Sequence, residues 1–494
     1  MNEHPPQPLG THPTPDGREI GAAAPARREK ILVAIASYGV AHLSTLREII
    51  ERYRRLPMEV DIVVLSEAPK DLGPGVEVVV GLPAKNPWTL PFAHKSVFAQ
   101  RIERYDLFIY SEDDIDISER QIRAFLRATP HLAGDEIAGF LRYEVGSDGG
   151  WFLTDLWGHF HWQPASVRTR GDYTVAEFTN EHAGFYILTQ AQLQRAIASG
   201  GYLRAPYRAR YNWPETAATD PYTSCGFRKV ICISALQDFL VHHASNRYAH
   251  QLPVSLRAVQ EQIATLNRIR DRQHPASTLC EIEPKAWRSH WKKTYFEQPH
   301  DSLLQLVPPT TRHLLSIGCG WGETERTLQE RGARVTALPL DSIVGAALER
   351  NGIEVVYGPM DESFRALNGR AFDCVLLTNL LHLQKDPLHL LQECIRLVTP
   401  KGTLLVGGPN FNRLPWLLQR ATGFGPLRYL RNYEAGGVAV CGPSSLGKAL
   451  AASDFQVRST RWVNHNIEHP AFARWSFPLG ELTARDWLLQ ATRN

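Results

Sequence analysis

The chain contains two long stretches in which continuous apolar runs alternate with amphipathic segments. In the first stretch the apolar runs are four to eight residues long, which is typical of strands buried on both faces. The segments between them place apolar residues on one side at helical spacing. Alternation of this kind predicts a mostly parallel α/β sheet. Its strands are expected at Lys30–Ser37, Val60–Leu65, Val76–Val80 and Leu107–Tyr110, and its helices at Ser44–Arg55 and Ala93–Arg104.

The second stretch begins near His313 and repeats the alternation. It predicts a second α/β domain of Rossmann-like type. The expected strands are Arg312–Ile317, Arg334–Leu338, Glu354–Gly358, Phe372–Leu377 and Thr403–Gly408, and the expected helices are Thr324–Arg331 and Asp386–Val398.

Composition fits two such domains, because the chain has 494 residues with 43% hydrophobic and 21% charged content. Proline and charge dominate the first residues, and prolines recur between the two stretches. We therefore expect a disordered tail (1–28), a first domain (29–272), a linker with a leading helix (273–309), a second domain (310–470) and a C-terminal extension (471–494).

Charge and cysteine usage exclude several classes of protein. A net charge of +3 over this length gives no basis for nucleic-acid binding. The seven cysteines form no C-x-x-C pair, which argues against a disulfide framework or a zinc site and fits a cytoplasmic location. No secretory signal and no apolar run of about 20 residues is present, so we expect no transmembrane segment. Peripheral contact with the inner face of a membrane stays open.

A glycine-rich loop follows the first strand of the second domain, Gly318-Cys319-Gly320-Trp321-Gly322. Glycines allow a sharp turn and close approach of a ligand, and the following helix adds unpaired N–H groups. A dinucleotide fingerprint is G-x-G-x-x-G, but here the third glycine comes one residue early and Glu323 stands where that fingerprint requires glycine. The loop therefore favours a ligand without phosphates.

This loop and the segments after it resemble the class I S-adenosylmethionine-dependent methyltransferases. The family usually has an acidic residue at the end of the second strand to bind the ribose, whereas this chain has Pro339 there and Asp341 two residues later. Asp341 either binds the ribose or caps the next helix, and Asp361 either binds the adenine amino group or is an exposed loop acid. The resemblance implies S-adenosylmethionine as cofactor, bound by Gly318, Cys319, Gly320, Gly322, Asp341, Met360, Asp361 and Asn379.

His382 lies just beyond the fourth strand of this domain, at the edge where ligands bind in such folds. Methyl transfer to an oxygen needs a base for the hydroxyl proton, and His382 is the candidate. The alternative is a packed histidine without a chemical role.

The first domain carries an acidic cluster after its fourth strand, Glu112-Asp113-Asp114-Ile115-Asp116. Adjacent carboxylates repel one another, and a divalent cation with oxygen ligands relieves that repulsion. The segment resembles the D-x-D motif of GT-A fold glycosyltransferases, which holds Mn²⁺ or Mg²⁺ against a nucleotide sugar. That resemblance implies a metal site at Asp114, Asp116 and His243. For Asp116 the alternative is the approach to a helix capped by Ser118, and for His243 it is a buried core residue.

The same resemblance implies the remaining donor-binding and catalytic residues. The end of the first strand would bind the base, the acidic cluster the ribose and sugar, and a later small-residue segment the donor sugar. Glycosyl transfer with inversion needs a carboxylate base, for which Glu181 is a further candidate. The donor-binding residues are Ser37, Tyr38, Glu112, Asp113, Glu181 and His182, and the candidate bases are Glu215 and Asp220.

Together these features predict a bifunctional enzyme that transfers a sugar from a nucleotide-sugar donor and methylates a hydroxyl, in the synthesis of a surface polysaccharide or glycolipid. One alternative is a methyltransferase whose N-terminal half only binds a glycan acceptor. Another is a methyltransferase half that has lost activity and serves as a scaffold.

Overall fold

The computed structural model describes residues 29–249, 254–285, 291–297, 300–422, 430, 432–463 and 480–494, and the elements below belong to these residues. The predicted disordered tail lies outside them. Each half of the chain is built on its own mainly parallel sheet. The alternation of apolar runs and amphipathic segments is thus confirmed in both stretches.

The N-terminal half contains thirteen strands and six α-helices among the residues described, and its last helix leads into the linker. Its strands are β1 (Lys30–Ala36), β2 (Glu59–Ser66), β3 (Val76–Val80), β4 (Leu107–Glu112), β5 (Ile115–Asp116), β6 (Glu136–Gly139), β7 (Leu141–Val145), β8 (Trp151–Leu153), β9 (Arg168–Arg170), β10 (Tyr173–Glu177), β11 (Phe185–Thr189), β12 (Arg228–Cys232) and β13 (Leu240–His243). Its helices are α1 (Leu43–Arg54), α2 (Ala93–Gln100), α3 (Glu119–Ala128), α4 (Gln190–Ala198), α5 (Trp213–Thr223) and α6 (Leu256–Arg270).

The main sheet of this half has the strand order β11-β4-β1-β2-β3. Strands β1 to β4 run parallel, and β11 is antiparallel to β4. Residues Ile31–Ile35 of β1 are fully buried, as a strand covered on both faces requires. Two smaller sheets, β6-β12-β10-β9 and β5-β13-β7-β8, lie beyond the carboxyl end of β4 in the chain. The second of them brings β13 beside the acidic cluster.

The C-terminal half contains α7 (Asp301–Leu304), β14 (His313–Cys319), α8 (Glu323–Glu330), β15 (Arg334–Pro339), α9 (Ser342–Arg350), β16 (Glu354–Val355), α10 (Met360–Ala366), β17 (Phe372–Thr378), α11 (Pro387–Arg396), β18 (Val398–Pro409), α12 (Leu414–Thr422), α13 (Tyr433–Gly436), α14 (Pro443–Ala451), β19 (Phe455–Val463), α15 (Gly480–Thr483) and β20 (Asp486–Arg493).

The sheet order of this half is β16-β15-β14-β17-β18-β20-β19. The first five strands in this order are parallel, and β20 runs antiparallel to both of its neighbours. Strand β20 lies between β18 and β19, with Val406 paired to Leu489. The predicted C-terminal extension is therefore wrong as a boundary, because its last residues form an internal strand of the second domain.

The linker also contributes side chains to the hydrophobic core of the C-terminal half. Leu279, Ile282 and Tyr295 are each at most 4% exposed and belong to the hydrophobic core of the C-terminal half. The two halves contact each other through α6 and α9, where Ile343 packs in a cluster with Val259 and Leu266. Within the described residues, no helix is both long enough and apolar enough to cross a membrane.

Candidate functional sites

The acidic cluster lies where β4 ends, beside the end of β1. The register pairs Ala36 with Glu112, so the next residues of each strand, Ser37 and Asp113, come together at the carboxyl edge of the sheet. Burial raises the pKa of the Asp113 carboxyl, and the neighbouring Ser37 hydroxyl opposes part of that rise. The Lys70 ammonium donates to the Ser37 carbonyl at 2.7 Å and to its hydroxyl at 2.8 Å. Tyr38 beside them is 57% exposed. The structure thus brings together Ser37 and Asp113, both predicted donor-binding residues, and adds Lys70, which no sequence motif indicated.

Asp114 and His243 meet although 129 positions separate them. The Asp114 Oδ2 lies 3.0 Å from the His243 Nε2, and Ala244 N donates to the Asp114 carbonyl at 2.8 Å. Burial opposes ionisation of Asp114, but hydrogen bonding from His243 lowers its pKa overall. The structure thus brings together two of the three residues predicted to hold the metal.

Glu144 on β7 orients His243 from behind and was missed by the sequence analysis. It is fully buried, its Oε1 lies 2.5 Å from His243 Nδ1, and its Oε2 accepts from Tyr248 N. Nδ1 faces Glu144 and Nε2 faces Asp114, so Glu144 fixes which ring nitrogen is turned toward the acidic cluster. A carboxylate behind a histidine is the arrangement that orients metal-binding imidazoles. No local sequence pattern indicates Glu144, because it reaches His243 through the pairing of β13 with β7.

Glu112 and Glu215 form a second acidic pair near Asp114. Burial, reinforced by Asp114, raises the pKa of Glu112 to about 8. Burial also raises the pKa of Glu215, whose Oε2 is buried without a hydrogen-bond partner among the described residues. The Arg142 guanidinium, held by Asp155 with N–O distances of 2.9 and 2.7 Å, is the nearby cation.

Asp116 does not join this group, which corrects the predicted metal set. Strand β5 pairs Asp116 with His242 and Ile115 with His243, so Asp116 and His243 point to opposite faces of the small sheet. Asp116 instead forms an ion pair with Arg52 on α1. The capping box at Ser118 forms as the sequence indicated, so the alternative interpretation of Asp116 applies.

Asp220, a candidate base, is also misplaced for catalysis. It is fully buried on α5, forms an ion pair with Lys95, and its Oδ1 accepts from the Tyr207 and Ser224 hydroxyls at 2.6 and 3.1 Å. Both oxygens are therefore engaged, and the side chain stabilises the packing of α5. Glu215, one turn nearer the start of α5, keeps an unpaired oxygen and remains the candidate base.

The segment predicted to line the donor sugar folds back toward the acidic cluster. Gly184 O accepts from Glu112 N at 2.9 Å, and His182 is close enough to Arg142 for that guanidinium, after burial, to lower its pKa. Glu181 instead binds Arg210, with N–O distances of 3.0 and 2.8 Å. Glu181 therefore serves as an anchor rather than as a free base.

Two side chains at this edge could serve as ligands of a divalent cation. Among the described residues no three His, Cys, Asp or Glu side chains converge on one point, so the chain offers two ligands, Asp114 and His243. Mg²⁺ is commonly held by one or two carboxylates together with substrate phosphates. Nearby carboxylates exceed nearby cations, which favours a positive ion.

The glycine loop of the second domain forms the predicted turn between β14 and α8. Gly318 and Gly322 have φ values of 70° and 90°, a left-handed conformation that favours glycine. Cys319 is buried between them, with its Sγ 3.8 Å from the Leu338 carbonyl. A Cβ on Gly320 would collide with the carbonyl of Tyr295. The linker backbone therefore lies directly on the loop.

Asp341 caps α9 and does not face a ligand. Its Oδ1 accepts from Ile343 N and Val344 N at 2.8 and 2.9 Å, its Oδ2 accepts from the Tyr295 hydroxyl at 2.7 Å, and it is 1% exposed. Burial raises the pKa of its carboxyl. The predicted ribose contact is thus not available, and the capping alternative is correct.

The other predicted cofactor residues follow strands β16 and β17. Met360 N donates to Leu279 O at 3.0 Å, Asp361 is exposed in the first turn of α10, and Asn379 N donates to Gly407 O at 2.9 Å.

The catalytic prediction for His382 does not fit its surroundings. It is 1% exposed, its Nε2–H donates to the Trp291 carbonyl at 2.7 Å, and burial lowers its pKa to about 4.

The residues of this edge therefore fit S-adenosylmethionine only in part. The glycine turn has the shape that a cofactor needs, but the carboxyl of Asp341 and the amide of Met360 are already paired within the chain.

Comparisons with known proteins place the second domain in a family. Residues 290–460 match a family described as a methyltransferase domain, a match that leaves the N-terminal half uncovered. Ubiquinone biosynthesis O-methyltransferases from Paracidovorax citrulli and Cronobacter sakazakii are 27% and 32% identical over 33% and 22% of this chain. The chain spans 70% of the first relative and 46% of the second.

Two solved structures are similar to part of the chain. A methyltransferase from Archaeoglobus fulgidus matches 39% of this chain and 90% of its own at 15% identity, with a TM-score of 0.30. The N-methyltransferase NodS of Bradyrhizobium japonicum, in complex with S-adenosylhomocysteine, matches 40% of this chain and 85% of its own at 18% identity, with a TM-score of 0.27. The family match and the curated relatives make the C-terminal region a class I S-adenosylmethionine-dependent methyltransferase domain.

Proposed function

We propose that this chain, whose C-terminal region is a class I S-adenosylmethionine-dependent methyltransferase, is a bifunctional enzyme that also transfers a sugar from a nucleotide-sugar donor. The observation that carries the second activity is the group Asp114–His243–Glu144 at the carboxyl edge of β4. Ligands of open α/β sheets bind at this edge. The proposed product is a surface polysaccharide or glycolipid.

Asp114 and His243 would hold Mn²⁺ or Mg²⁺ in this proposal. The cation would supply positive charge to a diphosphate leaving group. Glu144 fixes the imidazole so that Nε2 is available as a ligand. Ser37, Asp113 and Tyr38 border the neighbouring end of β1, where the nucleotide would bind.

Glu215 is the proposed base of the glycosyl transfer. Its Oε2 is unpaired and buried, and burial raises the pKa of its carboxyl, which improves its ability to take a proton near neutral pH. Arg142 stabilises the ionised forms of Glu112 and Glu215. His182 and Gly184 complete the wall of the site next to Glu112.

For the methyltransferase half we propose a hydroxyl acceptor on a glycan. The two curated relatives are named O-methyltransferases, which favours an oxygen acceptor. Joining two activities on one chain raises the effective concentration of the first product at the second site. The presence of both domains on one chain therefore favours a methyl acceptor related to the sugar product of the N-terminal half.

The metal-dependent half is tested by thermal shift with Mn²⁺ and a panel of nucleotide sugars, followed by an assay for donor hydrolysis. We expect at least one donor to raise the melting temperature in the presence of Mn²⁺, and Asp114→Asn to abolish both responses. Asp116→Asn is the matched control, because Asp116 lies on the opposite face of the small sheet. Absence of a donor response, or equal responses of the two variants, would refute the glycosyltransferase proposal.

A second candidate is a methyltransferase whose N-terminal half only binds a glycan acceptor. It is favoured by the small number of protein ligands, since only Asp114 and His243 meet among the described residues. Chelation separates the two candidates. Glycan binding that is unchanged by EDTA, without donor turnover, would favour the binding module.

A further inference from the structure

We propose that residues 277–282 form a strap over the carboxyl edge of the methyltransferase sheet, here called the cofactor edge. This strap must move before S-adenosylmethionine can bind there. The proposal goes beyond the activities proposed above and rests on the methyltransferase half alone. It explains why the predicted cofactor contacts at Asp341 and Met360 are already used within the chain.

The backbone of the strap pairs with both loops at the carboxyl edge. Leu279 N donates to Leu340 O at 2.9 Å, and Met360 N donates to Leu279 O at 3.0 Å. Ser342 N donates to Ser277 O at 3.0 Å, and Ser277 N donates to the Ser342 hydroxyl at 2.8 Å. One extended segment thus bridges the loop after β15 to the start of α10, where open α/β sheets bind their ligands.

The side chains of the strap are packed as core. Leu279 and Ile282 are 3% and 4% exposed and belong to the cluster that contains the strands of this sheet. A segment that merely crossed the surface would leave such side chains in water. The strap therefore gains hydrophobic stabilisation in the position that it occupies.

A second crossing of the linker covers the glycine loop. Trp321 N donates to Tyr295 O at 2.7 Å, and the Tyr295 hydroxyl donates to Asp341. Tyr295 N in turn donates to Gly158 O, and its ring stacks on His161 with centroids 4.3 Å apart. Both ends of the edge are thus held closed, one of them by the N-terminal half.

An ion-pair network anchors the end of the strap to the N-terminal half. Glu283 follows the strap and accepts from Arg210 at 3.0 and 2.6 Å, and Lys292 lies 3.1 Å from it. Arg210 also binds Glu181. Opening of the strap is therefore opposed by contacts with the domain that carries the acidic site.

S-adenosylmethionine has to displace the strap in order to reach the edge. The apparent dissociation constant equals the intrinsic constant divided by the open fraction, so a mostly closed strap weakens binding in proportion. A variant that loosens the strap should bind the cofactor more tightly even though it is less stable.

Calorimetric titration with S-adenosylmethionine and S-adenosylhomocysteine tests this on the full chain. Leu279→Ala removes a strap anchor, and Leu303→Ala is the matched control, because Leu303 is equally buried in the same core but lies outside the strap. We expect Leu279→Ala to bind about tenfold more tightly than the wild type. Leu303→Ala should lower the melting temperature without tightening binding.

Hydrogen exchange supplies a readout independent of affinity. Saturating S-adenosylhomocysteine should increase exchange at the amides of residues 277–282, because their partners are released. Unchanged protection in the bound state, or equal affinity of wild type and Leu279→Ala, would overturn the proposal. Absence of binding in both proteins would overturn it too, and would leave the test of the N-terminal site unaffected.

Discussion

At the scale of single residues, the sites depend on which carboxylates are free and which are already paired. Glu215 keeps an unpaired oxygen, whereas Asp220 on the same helix does not. Asp114 faces His243, whereas Asp116 faces Arg52. Each pair consists of two carboxylates close together in the sequence, and their partners in the structure distinguish them.

Glu144 should control metal affinity although it would not touch the metal. Glu144→Gln keeps the shape but weakens the orientation of His243, and we expect Mn²⁺ affinity to fall about 10- to 100-fold. Calorimetric Mn²⁺ titration measures the effect. Glu177→Gln, at a distant ion pair with Arg168 and Arg228, is the control and should bind Mn²⁺ as the wild type does.

Asp220→Asn should act on stability rather than on chemistry. It leaves Lys95 buried without its counter-ion, which costs about 3–5 kcal/mol in the free energy of unfolding. Urea denaturation measures this, and Lys95→Met combined with Asp220→Asn should recover part of the loss. Normal stability of Asp220→Asn together with lost sugar transfer would instead restore the predicted catalytic role.

His382 should make stability depend on pH below neutrality. Burial lowers its pKa to about 4 in the folded state, against 6.5 in the unfolded chain. The unfolded state therefore binds more protons between these values, and stability falls as pH decreases from 6.5 to 4. His382→Gln should remove up to about 3 kcal/mol of this decrease, measured by denaturation at several pH values. An unaltered pH profile would contradict the assignment.

At the scale of elements, the role of Asp341 follows from its position as the N-cap residue of α9. Asp341 accepts from two amides of its first turn. Asp341→Ala should cost about 0.5–2 kcal/mol, whereas Asp341→Ser, which also caps helices, should cost less. Denaturation curves test this order. Loss of cofactor binding in Asp341→Ser at unchanged stability would argue for the ribose role instead.

At the scale of the whole molecule, the two halves are coupled through the linker and through the contact of α6 with α9. Ile343 packs with Leu266 of the N-terminal half, whereas the similarly buried Ile353 belongs to the core cluster of the C-terminal half. Ile343→Ala should separate the unfolding of the halves into two calorimetric transitions. Ile353→Ala should destabilise the C-terminal half alone, and identical traces of the two variants would contradict the coupling.

The sequence by itself determined the two α/β domains, the glycine turn and the acidic edge. These features follow from local patterns, namely apolar periodicity, glycine spacing and adjacent carboxylates, which do not depend on distant partners. Strand β1 could be located because a strand buried on both faces needs an unbroken apolar run. The bounds of the partly buried edge strand Val76–Val80 matched as well. Even the capping box at Ser118 could be identified in advance.

Only the tertiary structure decided which residues meet. Glu144 reaches His243 through the pairing of β13 with β7, Asp116 turns away because strand side chains alternate, and β20 returns to the sheet from the end of the chain. The strap shows the same limit, since nothing local in residues 277–282 indicates that they cover the cofactor edge. Strand pairing brings together residues that are far apart in the sequence. It therefore decides which side chains become hydrogen-bond partners, and the chemistry of each site follows from those partners.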